Sequence, residues 1–232
     1  MRKSENTQMA LRLSNGESAT LENFFEPPSG VVVQSIQRFL TASEDTVFSI
    51  CGASAQGKTH LLMAACNGFH NAKCFYLSLR EYADFGVDVL AGLESFDVLC
   101  FDDIDAIAGQ PEWEEALFHL FNRCRDRGCK WLITSAEAPS QTPFLLPDLK
   151  TRLAWGECVR LPELDEVQRI NVLDIKAANI GFRLSDEVKQ YIMRRAPRDL
   201  SSLSLILERL DKASLVEKRP ITVPFVKSVM NW

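Results

Sequence analysis

The feature that most restricts the fold is a glycine-rich octapeptide at residues 52–59, which reads Gly-Ala-Ser-Ala-Gln-Gly-Lys-Thr. It matches the pattern G-x-x-x-x-G-K-[ST] and lies between an apolar run at residues 46–51 and a helical pattern from Thr59. A strand, a glycine-rich turn and a helix in this order predict a P-loop, whose main-chain N–H groups surround nucleotide phosphates. A chance match at a strand–helix turn is the alternative, and the flanking elements argue against it.

The residue types within the loop predict the role of each side chain. Gly52 and Gly57 let the backbone curl closely around an anion. Lys58 would place a positive charge beside the terminal phosphates, and the Thr59 hydroxyl is a candidate magnesium ligand. We therefore expect ADP or ATP, together with Mg2+, as the bound cofactors.

An acidic strand end supports a nucleotide site. Residues 98–101 are apolar and are followed by Asp102 and Asp103, the first of them 44 residues after the loop lysine. Ligands of such folds bind at the carboxyl edge of the parallel sheet. We predict that Asp102 reaches the magnesium shell and that Asp103 orients an attacking water. Two acids that merely terminate a strand are the alternative.

The rhythm of apolar runs predicts the fold class. Short apolar runs alternate with helical patterns over the first two thirds of the chain, at residues 46–51, 74–77, 96–101, 130–134 and 158–161. This alternation is typical of an α/β domain with a parallel sheet flanked by helices. We predict a flexible tail at residues 1–18, the α/β P-loop domain at 19–162 and a small all-α subdomain at 163–232.

Charge and cysteine content exclude several classes of protein. The net charge is −5, made up of −8 in residues 1–150 and +3 in residues 151–232, so we expect weak or no direct DNA binding. None of the seven cysteines forms a C-x-x-C pair, which favours reduced thiols. No apolar run approaches the roughly 18 to 20 residues of a membrane span, and no secretory signal is evident. We expect a soluble, cytoplasmic protein without membrane contact.

Several segments resemble the AAA+ domain of the bacterial initiator DnaA. They are the P-loop and residues 102–109, 114–122 and 132–135, and the resemblance runs from about Thr20 to the C-terminus. The chain is particularly similar to the Hda family, the short DnaA homologues that regulate the initiator. The DnaA branch uses an aspartate pair, so the aspartate at position 103 does not indicate an inactive site. The resemblance implies an AAA+ domain followed by a helical lid.

The resemblance also implies roles for two arginines. Arg152 matches the arginine finger, which completes the site of a neighbouring subunit and stabilises charge on the transferred phosphoryl group. Arg198 matches the lid arginine that contacts the phosphates of its own nucleotide. A surface ion pair is the alternative for either residue, and such pairs contribute little to stability.

Four further site residues follow from the same resemblance. Thr134 or Ser135 corresponds to the polar sensor of the terminal phosphate. Phe24 and Phe25 lie in the segment that borders the adenine. The residues alone leave open which of the two hydroxyls is the sensor.

The N-terminal tail contains a pattern similar to the peptides that dock on the bacterial sliding clamp. Gln8, Leu11 and Leu13 carry the likeness, with a glutamine amide for hydrogen bonds and leucines for an apolar pocket. Met9 and Arg12 depart from the usual leucine and proline, which lowers the expected affinity. We predict the DNA polymerase sliding clamp as a partner.

The resemblance therefore implies an Hda-like regulator that binds adenine nucleotide and the clamp. It would present Arg152 to DnaA–ATP and stimulate hydrolysis there, with little turnover in its own site. The chain stops at Trp232, soon after the predicted lid, so we expect no DNA-reading domain. A self-contained AAA+ ATPase, such as a helicase loader or truncated initiator, is the alternative, and a small-molecule kinase would need an acceptor pocket of which the sequence gives no sign. A homo-oligomer and the choice between ADP and ATP stay open.

Overall fold

The computed structural model describes residues 19–27, 30–42, 46–68, 72–197 and 199–232. The predicted clamp peptide with Gln8, Leu11 and Leu13 lies outside the described residues, and so does Arg198. Their predicted roles therefore stay predictions.

A five-stranded, all-parallel sheet forms the centre of the first part of the chain. Its strands are β1 (Val47–Cys51), β2 (Cys74–Ser78), β3 (Val98–Asp102), β4 (Lys130–Ser135) and β5 (Glu157–Arg160). Their order across the sheet is β2-β3-β4-β1-β5. The third strand begins two residues later than predicted, because the Phe96 N–H bonds to the Leu93 carbonyl and belongs to a turn.

Helices cover both faces of this sheet. They are α1 (Val32–Thr41), α2 (Lys58–Gly68), α3 (Leu79–Tyr82), α4 (Pro111–Asp126) and α5 (Pro147–Leu153). One apolar core joins α4 and α5 to the sheet around Trp131, and a second joins α1 and α2 to the sheet around Phe48. Because both sheet faces are buried, the central strands are apolar throughout rather than alternating.

The last part of the chain is entirely helical and has its own core. Its helices are α6 (Glu166–Ile180), α7 (Asp186–Arg195), α8 (Leu200–Glu217) and α9 (Val223–Met230). Each begins after a residue whose side chain accepts a main-chain N–H of the first turn: Asp165, Ser185, Asp199 and Thr222. These caps satisfy otherwise unpaired donors and set where each helix starts. The predicted α/β domain with a parallel sheet, followed by an all-helical part, is confirmed.

The sheet order brings the predicted site residues to one edge. Since β3, β4 and β1 are neighbours and parallel, the residues that follow each of them meet at the carboxyl edge. The P-loop follows β1, Asp102 ends β3, and Thr134 lies near the end of β4. No helix within the described ranges is both long and apolar enough to cross a membrane.

Candidate functional site

The P-loop follows the geometry that its glycines permit. Gly57 has φ of +95°, in a region that side chains rarely adopt. A Cβ at this position would also lie 2.9 Å from Cε2 of the Phe24 ring. Glycine is therefore required here both for the turn and for the close approach of the segment predicted to border adenine.

The loop lysine is held inside the loop. Lys58 is 7% exposed, and its Nζ donates to the carbonyl oxygens of Gly52 at 2.7 Å and Ala53 at 2.8 Å. Burying an ammonium group requires such hydrogen-bond partners. The positive charge thus sits within the curve of backbone that would receive an anion.

Three hydroxyl groups hold the buried Asp102 carboxylate, which is 3% exposed. Thr59 Oγ1 donates to Asp102 Oδ2 at 2.6 Å, and the Tyr76 hydroxyl donates to the same oxygen at 3.0 Å. Thr134 Oγ1 donates to the other oxygen, Oδ1. The two residues predicted as magnesium ligands, Thr59 and Asp102, therefore lie in direct contact, and their oxygen atoms are the ligand type that Mg2+ prefers.

Asp103 has a different environment from its neighbour. Its backbone is left-handed, with φ of 53° and ψ of 52°, and its N–H donates to Thr134 Oγ1 at 2.8 Å. Its carboxylate forms an ion pair with Arg80 of α3, with 2.7 Å between Nε and Oδ2. The hydrogen bond to Asp103 raises the pKa of the Arg80 guanidinium. The sequence alone did not point to Arg80, because its closeness to Asp103 depends on β2 lying beside β3 in the sheet.

The two candidate sensor hydroxyls point to different partners. Thr134 contacts both members of the aspartate pair. Ser135 instead donates to the Glu137 carbonyl oxygen at 2.6 Å. Thr134 is therefore the hydroxyl that the structure brings to the acidic pair.

The segment predicted to border adenine lies along α2. His60 Nε2 is 3.1 Å from the Thr20 carbonyl oxygen, and the Phe24 ring centroid is 5.8 Å from that of His60. Burial, and after it the charge of Lys176 on α6, lower the pKa of His60, against the opposing effect of its hydrogen bond to Thr20. Phe25 is half-buried in the same segment. The N-terminal segment and α2 thus pack together beside the P-loop, with Lys176 of the helical part close enough for its charge to act on His60.

Arg152 lies on α5, partly buried, with its guanidinium against a ring. Its Cζ is 4.3 Å from the centroid of Trp155, which is 54% exposed and packs edge-on against Phe121 of α4. Arg152 Nη1 is buried without a hydrogen-bond partner among the described residues. Such an arrangement fixes a guanidinium through a cation–π contact while leaving donors unused.

A buried glutamate connects the segment after the aspartate pair to the start of α5. Glu114 is fully buried, and its carboxylate accepts the Gly109 N–H at 2.7 Å and the Leu146 N–H at 2.6 Å. Gly109 follows the aspartate pair, and Leu146 is the residue before α5. Sequence patterns do not mark Glu114, because a glutamate on a helix is ordinarily exposed to solvent.

Two family models match the chain. Residues 17–160 match the family described as the bacterial DnaA ATPase domain, and residues 165–230 match the family described as the Hda lid domain. An uncharacterized protein of Haemophilus influenzae is 38% identical over 229 residues, which cover 97% of this chain and 99% of that protein.

Solved structures of DnaA share the fold. Domain III of the replication initiation protein DnaA from Thermotoga maritima has a TM-score of 0.79 and 20% identity, over 93% of this chain and 96% of that one. AMPPCP-bound DnaA from Aquifex aeolicus has a TM-score of 0.67 and 23% identity, over 86% of this chain and 65% of that one. At these identities the likeness shows the fold alone, which is that of an AAA+ domain with a helical lid.

Proposed function

The chain belongs to the DnaA-related AAA+ family and carries a lid of the Hda type, and from this premise we propose that it stimulates hydrolysis of the ATP bound to DnaA. A DnaA-related role in DNA replication follows from the family itself. The proposal adds the mechanism, in which this chain supplies an arginine to the nucleotide site of its partner.

We propose that the P-loop holds ADP or ATP. The groups that support this are the loop backbone, Lys58 and the pair of Thr59 and Asp102, whose oxygens are 2.6 Å apart. Mg2+, held by Thr59 and Asp102, would neutralise charge on the phosphates. Phe24 and Phe25 would border the base, and Arg198 would reach the phosphates from the lid. In this proposal the nucleotide orders the segment and helices that meet at the loop.

The proposed finger role rests on the surroundings of the Arg152 guanidinium. Arg152 forms no ion pair among the described residues, and its guanidinium lies against the ring of Trp155, which is 54% exposed. A guanidinium with unused donors is suited to a phosphoryl group on another molecule, where charge develops during transfer. An arginine engaged in an ion pair would first have to give up that partner.

The occupied carboxylate of Asp103 supports a regulator rather than a self-contained ATPase. Asp103 is the residue proposed to orient water, and here its carboxylate is paired with Arg80. Such a carboxylate is less able to accept a hydrogen bond from a water. We therefore expect little intrinsic ATP turnover, with the chemistry taking place in the site of DnaA.

We further propose that the tail peptide around Gln8, Leu11 and Leu13 docks on the sliding clamp. Tethering at the clamp would raise the local concentration of this protein near DnaA, without any further contact between the two.

The finger role is tested with a clamp-dependent assay of DnaA–ATP hydrolysis. We expect Arg152→Ala to lose the stimulation, since supplying such an arginine changes the rate by about 10³ to 10⁵. Arg152→Lys should not restore it, because an ammonium lacks the planar fork of donors. Arg209→Ala, at an exposed arginine of α8, is the matched control.

Binding of ADP to the same variants separates the finger role from misfolding. We expect Arg152→Ala to bind ADP like the wild type, since the structure gives it no contact with the described P-loop residues. Stimulation that persists in Arg152→Ala would remove the finger role.

A further inference from the structure

We propose that Tyr76 is a positioning residue for the magnesium site, holding the Asp102 carboxylate in place through its hydroxyl. This inference rests on the proposed nucleotide site and names a residue to which the sequence patterns assigned no role beyond strand β2. The observation behind it is the 3.0 Å hydrogen bond from the phenol to Asp102 Oδ2.

Strand register places the two side chains together. β2 and β3 pair in parallel, with Tyr76 opposite Cys100 and Ser78 opposite Asp102. Side chains two residues apart on a strand share a face of the sheet, so Tyr76 lies on the face of Ser78 and one step behind Asp102. A long side chain spans such a diagonal, and the phenol of a tyrosine has the required length.

Burial makes the hydroxyl donors of Asp102 necessary. A carboxylate that is 3% exposed is costly to keep charged unless its oxygens accept hydrogen bonds. The donors are Thr59 and Tyr76 on Oδ2 and Thr134 on Oδ1. Thr59 is itself a proposed metal ligand and so belongs to the metal site that the carboxylate serves. Tyr76 is then the remaining hydroxyl on Oδ2.

The phenol stays a donor under ordinary conditions. A tyrosine phenol has a pKa of about 10 and is therefore protonated near neutral pH. A protonated phenol donates its hydrogen to the carboxylate. This bond fixes the direction of the carboxylate lone pairs that remain for a metal ion. Groups that orient a metal ligand in this way affect metal affinity by about 10- to 100-fold.

The ring of Tyr76 also packs against the core beneath α1 and α2, which is the competing, purely structural role. Tyr76→Phe keeps the ring and removes only the hydroxyl. The substitution therefore separates packing from orientation of Asp102. Tyr82→Phe, on α3 beside Phe85, is the matched control.

The test measures ADP affinity by titration calorimetry in excess Mg2+ and in EDTA, and the Mg2+ concentration needed for half-maximal tightening. We expect Tyr76→Phe to need about 10- to 100-fold more Mg2+ and to match the wild type in EDTA. Tyr82→Phe should match the wild type in both conditions. Thermal unfolding without nucleotide checks that each variant is folded.

Two results would overturn the inference. One is an unchanged Mg2+ requirement in Tyr76→Phe, and the other is an equal loss of ADP affinity with and without the metal. Failure of the wild type to bind ADP at all would instead remove the proposed nucleotide site, and the inference with it.

Discussion

At the scale of single residues, the aspartate pair shows how neighbouring identical side chains acquire different properties. Asp102 is held by hydroxyl groups inside the sheet, whereas Asp103 turns out of it on a left-handed backbone and pairs with Arg80. A non-glycine residue in that conformation is retained where its surroundings fix it. Here the Thr134 hydroxyl and the Arg80 guanidinium do so.

Arg80→Ala should raise intrinsic ATP hydrolysis, because the Asp103 carboxylate would become free to orient water. Arg80 is 65% exposed, and such ion pairs contribute about 0.2 to 1 kcal/mol. The expected increase in single-turnover rate is accordingly small, roughly two- to fivefold.

Arg38→Ala, which breaks an equally exposed ion pair with Glu157 on β5, is the control and should leave the rate unchanged. A rate in Arg80→Ala equal to or below that of the wild type would show that the pair does not restrain Asp103.

The site residues that the sequence alone identified belong to local patterns, whereas those it missed depend on the order of the strands in the sheet. The P-loop and Asp102 are local patterns, in which a strand is followed at once by glycines or acids. Tyr76 and Arg80 become part of the site only because β2 is the neighbour of β3. Sheet order is a property of the whole domain, so no local pattern marks these two residues.

At the scale of elements, the seating of α5 decides where Arg152 lies. Glu114 of α4 accepts the N–H of Leu146 immediately before α5, and Gly156 follows it. A Cβ at Gly156 would overlap the carbonyl oxygen of Val47, so this turn lies directly on β1. The helix is therefore fixed at both ends to parts of the nucleotide-binding domain.

Glu114→Gln should loosen the N-terminal end of α5. An amide offers one acceptor oxygen and one N–H2 group, so it cannot accept from both Gly109 and Leu146. Losing a hydrogen bond to a charged group destabilises by about 1.5 to 3 kcal/mol. We expect that loss in urea unfolding, together with reduced stimulation of DnaA–ATP hydrolysis.

Glu115→Gln, at the next residue of α4 and 73% exposed, should change neither quantity. Wild-type stability in Glu114→Gln would mean that the carboxylate does not join α4 to α5.

Element types were predictable where the chain forms a continuous apolar run or a helical repeat, and not elsewhere. Between β2 and β3 the chain makes three short 3-10 turns, at Ala83–Phe85, Val87–Leu90 and Leu93–Ser95. Single side chains such as Leu90 and Leu93 enter the core there. One buried residue per turn produces no periodicity, so no element could be predicted for this stretch.

At the scale of the whole molecule, the helical lid brings the charge of Lys176 close to His60 in the sheet domain, beside the P-loop. His60 of α2 touches the N-terminal segment and lies near Lys176 of α6. Burial lowers the pKa of both groups, which favours their neutral forms at this junction. Sequence patterns predicted the sheet domain and the lid separately. How closely the two approach each other depends on packing between segments that are far apart in the sequence.

The free energy of unfolding should therefore fall as the pH drops below 6.5, the ordinary pKa of histidine. The pKa of His60 is lower in the folded chain, so the unfolded chain binds the extra proton first. The contribution of His60 is complete above pH 6.5 and is lost as the pH approaches its folded pKa. A difference of one pKa unit corresponds to about 1.4 kcal/mol.

Urea unfolding at a series of pH values on both sides of 6.5 measures this dependence. His60→Gln should flatten it, since glutamine does not titrate, while His119→Gln at an exposed position should not. The same slope in His60→Gln and the wild type would contradict the assignment.

The packing of Trp155 has an optical consequence. Trp113 and Trp131 are buried and Trp232 is half-buried, whereas Trp155 is 54% exposed and lies against Arg152. A water-soluble quencher of fluorescence therefore reaches Trp155 before it reaches Trp113 or Trp131. The most readily quenched part of the intrinsic emission therefore comes from Trp155, with a smaller part from Trp232, so a Trp232→Phe variant would carry an unlabelled reporter beside Arg152 at the surface proposed to meet DnaA.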